Sequence, residues 1–251
     1  MARALPLIRD LVFAACLAAG TGHAMAAEPG ADCRVPAELV TDDAKLKATA
    51  LRLHDQKPVT IVAIGGASTA GTAAGNGDQY GYPRRLQEAL RRRHPGATVT
   101  VLNKGVPRQL TQQMVDRFAT DVIPADPTLV LWETGTVDAV RGIDVDQFTD
   151  AVQQGIAALR QHNFDVMLVN MQYNPSTGSV INFEPYMEAL NHAADLDGTL
   201  IFRRFEIMKY WSESGVFDFV DVPKERRVQL AEEVYRCLGD AMAEAIDHAA
   251  E

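Results

Sequence analysis

Cysteine is scarce in this sequence, with three residues among 251. A small fold held together by several disulfides is therefore excluded, and the 47% content of hydrophobic residues is enough for one sizeable core without structural metal ions. The chain also lacks internal repeats and low-complexity segments. Beyond its first 30 residues it has no apolar run long enough to span a bilayer. These absences indicate a single globular domain.

Basic residues are too few to balance the acidic ones, since 24 Lys and Arg stand against 33 Asp and Glu, a formal net charge of −9. Nucleic acids and anionic lipid surfaces attract basic proteins rather than acidic ones. We therefore expect no nucleic acid and no anionic membrane as a partner. We also expect no metal ion or other cofactor.

The amino terminus has the pattern of a secretory signal peptide. Arg3 and Arg9 precede an apolar segment that ends at Ala24-Met25-Ala26, a small-residue cleavage pattern. Residues 1–26 are therefore predicted to be removed, which leaves 22 Lys and Arg against 32 Asp and Glu. A retained anchor and a lipoprotein attached through Cys16 are weaker alternatives, because the apolar run is short for a span and the residues before Cys16 do not suit lipidation. We expect a periplasmic or secreted protein without a stable membrane span.

Cleavage leaves an even pair of cysteines, Cys33 and Cys237. Disulfides form and persist in the oxidising compartments that a signal peptide leads to. Cys237 falls on the apolar face of a predicted helix with Leu230, Val234 and Ala241, so a bridge would join the amino-terminal segment to the last helix. The alternative is a pair of buried thiols that do not meet, and we favour the disulfide.

Apolar segments alternate with helical patterns along most of the chain. Five segments have the character of buried strands, namely residues 59–65, 98–102, 129–133, 165–171 and 199–205. The clearest helical pattern places Phe148, Val152, Ile156 and Leu159 on one face. Strands that alternate with helices predict an α/β fold, a three-layer α/β/α sandwich around a five-stranded parallel sheet.

The first of these strands ends at a glycine-rich turn, in the sequence VTIVAIGGASTAG over residues 59–71. This segment resembles the first motif of the SGNH (GDSL) hydrolases, Gly-Asp-Ser-x-Thr-x-Gly, in which the serine is the nucleophile. Gly65, Thr69 and Gly71 match the motif, whereas Ala67 stands at the nucleophile position. Alanine has no hydroxyl group with which to attack an ester.

Two later motifs of this family match in their framework and differ at the functional position. The segments are VTVLNKGVPRQ, residues 99–109, and LVLWETGTVDA, residues 129–139. The matching framework residues are Asn103, Gly105, Gly135 and Thr136. In the first segment Arg108 replaces a glycine whose amide serves the oxyanion hole in the family. In the second, Val137 replaces the asparagine that donates to the oxyanion.

The last motif of the family, Asp-x-x-His before the final helix, is also changed. No histidine lies between Asp218 and Cys237; one register places Asp221 at the histidine position, and another places Gln229 there. The framework is otherwise similar to a secreted bacterial branch of the family over roughly residues 58–246. The similar connecting segments are YPRRLQEALRRRHPG, VNMQYNP and FRRFEIMKYW. The resemblance implies a flavodoxin-like SGNH-hydrolase domain over residues 58–251, preceded by an amino-terminal arm, residues 27–57.

Loss of nucleophile, base and oxyanion donors together should leave almost no acyl transfer, because these groups act as a unit. Ser68 is the one fallback nucleophile, in a motif register that slips by one residue. The favoured interpretation of Ser68 is structural, as a turn residue that bonds its own backbone. An esterase would also need a new base, and the five histidines of the predicted mature chain all fall in segments predicted to lie away from the strand ends. They are His54, His94, His162, His192 and His248.

The three strand-end motifs should meet at one edge of the sheet, so that Ala67, Arg108 and Val137 line a common cleft. Arg108 could form an internal ion pair that fills an inactive site, or it could bind the carboxylate of an acidic ligand or a sugar acid. Asp221 is otherwise explained as a residue that starts the final helix. The candidate ligand residues of the cleft are Ser68, Thr69, Asn103, Arg108, Glu133, Thr136, Asp138, Asp218 and Asp221.

Two functions of different classes are consistent with this pattern. The first is a non-catalytic exported protein that binds a glycan, another envelope ligand or an envelope protein, or that supports a partner enzyme. The second is a divergent serine esterase, acting on carbohydrate or lipid acyl esters through Ser68. The absence of a histidine in the last motif, together with Ala67, favours the first.

Overall fold

The computed structural model describes Met1 and residues 31–251. Its sheet contains the strands β1 (Val59–Gly65), β2 (Val99–Gly105), β3 (Leu129–Glu133), β4 (Asp165–Val169) and β5 (Leu200–Phe202). All four strand pairs are parallel, and the order across the sheet is β2-β1-β3-β4-β5. The predicted five-stranded parallel sheet is therefore confirmed. The predicted cleavage site before residue 27 lies outside the described residues.

Three strands differ from the prediction in their bounds. β5 covers only residues 200–202 of the predicted 199–205, because α10 begins at Arg204. β2 continues to Gly105, because it pairs with β1 along its whole length, Gly65 opposite Gly105. β4 ends at Val169 instead of residue 171, and Oδ1 of the following Asn170 accepts a hydrogen bond of 2.8 Å from the amide of Phe205. All three differences affect residues at the edge of the sheet where the strands end.

Helices connect consecutive strands and cover both faces of the sheet. They are α1 (Lys47–His54), α2 (Gly77–Tyr80), α3 (Tyr82–Arg93), α4 (Thr111–Asp116), α5 (Phe118–Asp121), α6 (Thr136–Arg141), α7 (Val145–Gln161), α8 (Pro175–Gly178), α9 (Glu184–Asp197), α10 (Arg204–Glu213) and α11 (Arg227–Ala249). The predicted apolar face of α7 is confirmed, since Phe148, Val152, Ile156 and Leu159 are all buried. Among the described residues, none of the helices combines the length and the apolar character needed to cross a membrane.

The sheet divides the core into two apolar clusters, as alternating strand residues point to opposite faces. On one face, Ile61 and Leu131 pack with residues of α1, α3, α10 and α11. On the other face, Val62 and Trp132 pack with residues of α4, α5, α7 and α9. The chain is therefore a three-layer α/β/α sandwich, as the sequence predicts.

Helix α1 packs closely against the rest of the domain. Leu46 and Leu53 belong to the buried core, and the amide and hydroxyl of Thr49 donate hydrogen bonds of 2.7 and 2.8 Å to the Asp165 carboxylate at the start of β4. Cys33 is joined to Cys237 of α11 by a disulfide. Residues 31–57, predicted to form an arm, are thus integrated into the domain.

Helix α11 lies close to α3, and a glycine allows this approach. A Cβ atom added to Gly239 would lie 2.6 Å from the carbonyl carbon of Arg85 and 2.7 Å from the amide nitrogen of Leu86, both backbone atoms. Any side chain at this position would therefore push the two helices apart. The contact holds α11, and with it Tyr235, against the layer that covers β1.

Candidate ligand-binding cleft

The strand order is that of flavodoxin-like sheets, in which the connections reverse direction between β1 and β3. Ligands of such folds bind in the crevice outside the carboxyl ends of the strands at this point. The turns after β1 and β3 here enclose a cavity of about 210 Å³. Its lining residues are Gly66, Ala67, Ser68, Gln109, Met114, Glu133, Thr134, Gly135, Thr136, Val137, Gln172, Asn174, Thr177 and Phe183.

The turn after β1 presents Ala67 and Ser68 to this cleft. Ala67 is exposed, so a methyl group occupies the position of the family's nucleophile. The Ser68 hydroxyl lies 3.5 Å from Oε1 of Gln172 and accepts a hydrogen bond of 3.1 Å from Nη1 of Arg204. The interpretation of Ser68 as a turn residue bonded to its own backbone is therefore wrong, because its side chain is directed into the cleft.

Thr69 is buried directly beneath the cleft. Its hydroxyl donates to Oε2 of Glu133 at 2.7 Å and lies 2.7 Å from the hydroxyl of Tyr82. Oε2 of Glu133 also accepts a hydrogen bond of 3.0 Å from the amide of Gly66. Glu133 at the end of β3 thus fixes the shape of the turn after β1.

Glu133 is paired with Arg204, the first residue of α10, and Nη2 of Arg204 lies 3.2 Å from Oε1 of Glu133. Burial alone would raise the pKa of Glu133, but the Arg204 charge and the hydrogen bonds from Thr69 and Gly66 outweigh it, so the pKa falls below its ordinary value. The carboxylate is therefore ionised at neutral pH and its charge is compensated. Glu133 therefore has a structural role in the cleft and does not present an uncompensated negative charge to a ligand.

The second family motif does not bring Arg108 to the cleft, contrary to the prediction. Arg108 is exposed, does not line the cleft and makes no ion pair with any described residue. Its backbone has φ of 67°, in the left-handed region that glycine adopts most easily. The proposed pairing of Arg108 with an acidic group of the cleft is therefore wrong. The backbone geometry nevertheless suits the glycine that the family has at this position.

Asn103 also lies outside the cleft. Its Oδ1 accepts a hydrogen bond of 2.9 Å from the amide of Gly105, and the residue borders a separate small pocket with Gly77 and Arg84. The side chain therefore shapes the end of β2 and does not face the ligand position.

The third motif does reach the cleft. Gly135 has φ of 92°, and this backbone conformation starts α6 so that Thr136 and Val137 line the cavity. Asp138 is buried behind them and accepts hydrogen bonds from the amide and hydroxyl of Thr111, at 3.2 and 2.8 Å. Burial raises the pKa of Asp138, and the bonds from Thr111 offset this only in part. Asp138 supports the turn and does not contact the cavity.

The last motif also lies apart from the cleft. Asp218 and Asp221 are exposed and border a different pocket with Arg226. Oδ1 of Asp218 accepts a hydrogen bond of 2.8 Å from the amide of Val220, which stabilises the loop itself. Neither carboxylate reaches Ser68 or Glu133, so neither belongs to the site.

The five histidines of residues 31–251 lie away from the cleft, as predicted. His54 and His94 border a pocket with Asp247, and His94 is bonded to Asp247 at 2.7 Å. His162 stacks on Phe164, and His248 lies near Glu244 on α11. The lining of the cleft contains no histidine from the described residues.

Sequence reasoning missed three residues of the site. Arg204 makes the central ion pair, Gln172 faces Ser68, and Tyr82 anchors Thr69. All three occur in the connecting segments that resemble the family's framework, FRRFEIMKYW, VNMQYNP and YPRRLQEALRRRHPG. Their resemblance to the family was the one sequence feature that could have indicated these residues. Their distance along the chain from the strand-end motifs does not show that they contact the site.

Comparison with solved structures supports the fold. A protein from Desulfitobacterium hafniense DCB-2, described as a lipolytic protein of the G-D-S-L family, superposes with a TM-score of 0.60 at 18% identity, over 74% of this chain and 99% of its own. An acetyl xylan esterase, AlAXEase, superposes with a TM-score of 0.58 at 19% identity, over 73% of this chain and 98% of its own. A two-domain esterase active on acetylated mannans, co-crystallised with mannopentaose, gives 0.64 at 14% identity, over 83% of this chain and 57% of its own.

The chain thus spans little more than half the length of that two-domain esterase. A search of curated proteins gives no match. The sequence profile of the non-GDSL lipase-like family matches residues 32–251, which include every strand and helix described above. The chain is therefore a member of the non-GDSL lipase-like family, with an SGNH-hydrolase-like fold.

Proposed function

We propose that this protein is an exported, non-catalytic member of its family that binds a neutral carbohydrate in the cleft between β1 and β3. The observation that carries the proposal is the methyl group of Ala67 at the nucleophile position, in a cleft without a histidine among its described lining residues. Acyl transfer needs an activated nucleophile and a base within hydrogen-bond reach of it. The cleft offers neither at this position.

The chemical character of the cleft supports a neutral ligand. Its polar side chains are hydroxyls and carboxamides, including Ser68, Thr136, Gln172 and Asn174. The one carboxylate of its described lining, Glu133, is neutralised by Arg204. Hydroxyl and amide groups donate and accept hydrogen bonds as sugar hydroxyls do. The esterase co-crystallised with mannopentaose shares the fold, which makes this oligosaccharide a suitable first probe.

Isothermal titration with mannopentaose and with a xylo-oligosaccharide tests the proposal. We expect one of these neutral oligosaccharides to bind the wild-type protein. Gln172→Ala should weaken binding about three- to tenfold, since one hydrogen bond contributes about 0.5–1.5 kcal/mol. Gln154→Ala, at an exposed position of α7, is the matched control and should bind like wild type. Absence of binding by both sugars, or equal loss in both variants, would contradict the proposal.

Export is supported by the signal-peptide pattern and by the Cys33–Cys237 disulfide, which suits an oxidising compartment. Mass spectrometry of the mature protein should find Ala27 as its first residue. An intact apolar segment would contradict cleavage at this position.

A divergent serine esterase is the second candidate, favoured by one observation: the Ser68 hydroxyl faces the cleft. Against it, the contacts of this hydroxyl are a guanidinium, a carboxamide and the phenol of Tyr235, whose pKa is raised by burial, and none of the three is a base at neutral pH. A fluorophosphonate probe separates the two functions, because it labels activated serines. We expect no labelling. Labelling that is abolished by Ser68→Ala in a folded protein would establish the esterase instead.

A further inference from the structure

A second cavity, of about 410 Å³, lies between α10, the first half of α11 and the loop that precedes α11. Its lining residues are Ala73, Gln172, Asn174, Ser176, Met208, Phe219, Val220, Val222, Arg227, Leu230, Ala231, Val234, Tyr235 and Leu238. Gln172 and Asn174 also line the cleft, whereas Ser176, Arg227 and Tyr235 line this cavity and not the cleft. The volume falls within the range of small-molecule sites, about 300–1,000 Å³.

Arg227 is the one charged residue in the described lining of this cavity. Its Nε donates a hydrogen bond of 3.2 Å to the carbonyl of Val222, which orients the guanidinium at the cavity wall. Within residues 31–251, no acceptor is bonded to its Nη1 or Nη2. These two groups are therefore left for a ligand, and the planar guanidinium matches the oxygens of a carboxylate or a phosphate.

Two carboxamides in the lining have their oxygens directed to donors of the protein. Oδ1 of Asn174 accepts a hydrogen bond of 3.1 Å from the amide of Thr177, and Oε1 of Gln172 lies 3.5 Å from the hydroxyl of Ser68. The NH2 group of each side chain therefore remains to donate to a ligand. The hydroxyl of Ser176 adds another donor to the lining. The polar part of the wall is thus rich in hydrogen-bond donors.

The described lining contains no carboxylate that would repel an anion. Burial raises the pKa of Tyr235, so its phenol is neutral. The side chains of Asp218, Asp221 and Glu233 border a separate pocket with Arg226. An anion in the cavity therefore meets one guanidinium and several uncharged donors.

The rest of the lining is apolar. Leu230, Val234 and Leu238 follow one another at intervals of four residues and share one face of α11, and Phe219 of the preceding loop joins them. Small-molecule sites combine apolar walls of this kind with a few polar groups that fix the orientation of the ligand. The C–H groups of a sugar ring can pack against the apolar wall while the ring hydroxyls bond to the polar one. The cavity therefore suits a compact polar molecule that carries an anionic group.

We infer that this cavity is a second binding site, for an anionic monosaccharide whose carboxylate or phosphate pairs with Arg227. The site goes beyond the proposed function, since the cleft takes a neutral carbohydrate and Arg227 does not line it. The inference rests on the guanidinium with two available Nη groups, the donor-rich wall and the absence of a carboxylate from the described lining.

Three probes with the same ring test the inference: D-glucuronate, D-glucose 6-phosphate and D-glucose, which differ at C6. Isothermal titration at low ionic strength is suitable, because salt screens an exposed charge. A hydrogen bond to a charged group contributes more than a neutral one, so we expect at least one of the two anions to bind about tenfold or more tightly than glucose. The comparison of the two anions distinguishes a carboxylate from a phosphate ligand. Binding of both anions no tighter than that of glucose would overturn the inference.

Two neighbouring arginines provide a matched pair of variants. Arg227→Gln removes the charge from the cavity, and we expect it to weaken binding of the anion about tenfold or more while the affinity for glucose stays unchanged. Arg226→Gln makes the same change at an exposed position that borders the other pocket, and it should stay within about twofold of wild type. Equal losses in the two variants would show a response to the local net charge and would overturn the inference.

Ser176→Ala is a second cavity variant, at an exposed position that does not line the cleft. Loss of one hydrogen bond should weaken binding of the anion about threefold or more. It serves if Arg227→Gln does not fold, which the midpoint of urea unfolding shows. Anion binding that is unchanged in every folded cavity variant would overturn the inference.

Titration with mannopentaose separates this site from the proposed function. Arg227→Gln should bind mannopentaose like wild type, because Arg227 does not line the cleft. Binding of an anionic probe without binding of mannopentaose or the xylo-oligosaccharide would support the second site and contradict the carbohydrate function of the cleft. Binding of mannopentaose without binding of either anion would have the opposite meaning.

Discussion

Arg204 and Glu133, 71 residues apart in sequence, form an ion pair with both side chains almost completely buried, 0% and 5% exposed. The pair connects the start of α10 to the end of β3, and through Gly66 and Thr69 it also holds the turn after β1. Nε of Arg204 has no hydrogen-bond partner among the described residues. The guanidinium therefore depends on Glu133 for the compensation of its charge.

Removal of one partner of this pair should destabilise the fold strongly. We expect Glu133→Gln to lower the free energy of unfolding by about 3–5 kcal/mol, because it leaves the Arg204 charge buried without a counter-ion. Urea unfolding at pH 7 measures the change. Glu213→Gln, which removes an exposed partner of Lys209, is the control and should change it by less than about 1 kcal/mol.

The same pair can be tested by a double variant. Glu133→Gln combined with Arg204→Met should be less destabilising than the sum of the two single changes, since the charge and its compensation are removed together. Simple additivity would mean that the two residues do not act as a pair.

The pair also predicts a dependence of stability on pH. The pKa of Glu133 lies below its ordinary value of 4.5 in the folded protein. Its contribution to stability is therefore present above the unfolded pKa and is lost as pH falls through the folded pKa. The difference in unfolding free energy between wild type and Glu133→Gln should shrink at pH values below about 4.5. A difference that stays constant down to pH 2.5 would contradict the assignment.

The contribution of Asp138 to stability should depend on pH with the opposite sign to that of Glu133. Its pKa is raised above the ordinary value of 3.8 by burial. The protonated form therefore stabilises the fold at low pH, and this contribution is lost as pH rises through the folded pKa. Acid titration of both variants, Glu133→Gln and Asp138→Asn, separates the two contributions because their signs differ.

Introduction of the missing nucleophile should not restore hydrolysis. Ala67→Ser places a hydroxyl at the exposed position of the turn, but the described lining of the cleft supplies no histidine to deprotonate it. We expect no hydrolysis of 4-nitrophenyl acetate above the wild-type background. A large gain from this change would reveal a base in the cleft and would contradict the non-catalytic proposal.

The disulfide should contribute substantially to stability. It closes a loop with a sequence separation of 204 residues, for which the chain-entropy model predicts about 5 kcal/mol. Titration of free thiols in unreduced, denatured mature protein should find none, and reduction should lower the midpoint of urea unfolding. Two titratable thiols before reduction would show that the bridge does not form.

The close approach of α11 to α3 gives a further test. Gly239→Ala should destabilise the protein by about 1–3 kcal/mol, because the added methyl group meets the backbone of Arg85 and Leu86. Gly178→Ala is the matched control, since no atom lies within 4 Å of a Cβ at that position. In thermal unfolding, the midpoint temperature of Gly239→Ala should be clearly lower than that of Gly178→Ala.

The elements of the fold were predictable because each follows from a local pattern. Continuous apolar runs marked all five strands, and the spacing of Phe148, Val152, Ile156 and Leu159 marked α7. The end of β2 was missed because Asn103 and Gly105 lack strand character, and their pairing depends on β1 as the neighbour. A sequence pattern describes a single segment, whereas the register of a sheet depends on how two segments pair.

The site was less predictable for the same reason. The strand-end motifs placed Ala67, Val137 and Glu133 correctly, since parallel strands end at a common edge. Glu133 was only one of several carboxylates considered as a partner of Arg108, and its partner is Arg204, because the direction of a side chain after a turn is not encoded in motif spacing. The cavity between α10 and α11 could not be foreseen, since its lining combines residues of both helices and of the loop before α11.

The position of the disulfide also determines how mechanical force passes through the molecule. Cys33 lies near the first described residues, and Cys237 lies on the last helix, 14 residues before the end of the chain. A pull between the ends of residues 31–251 therefore runs through the sulfur bridge and the final part of α11. The strands and the turns that form the cleft are outside this load path. Tension on the chain ends would unravel the end of α11 while the strand-end turns keep their geometry.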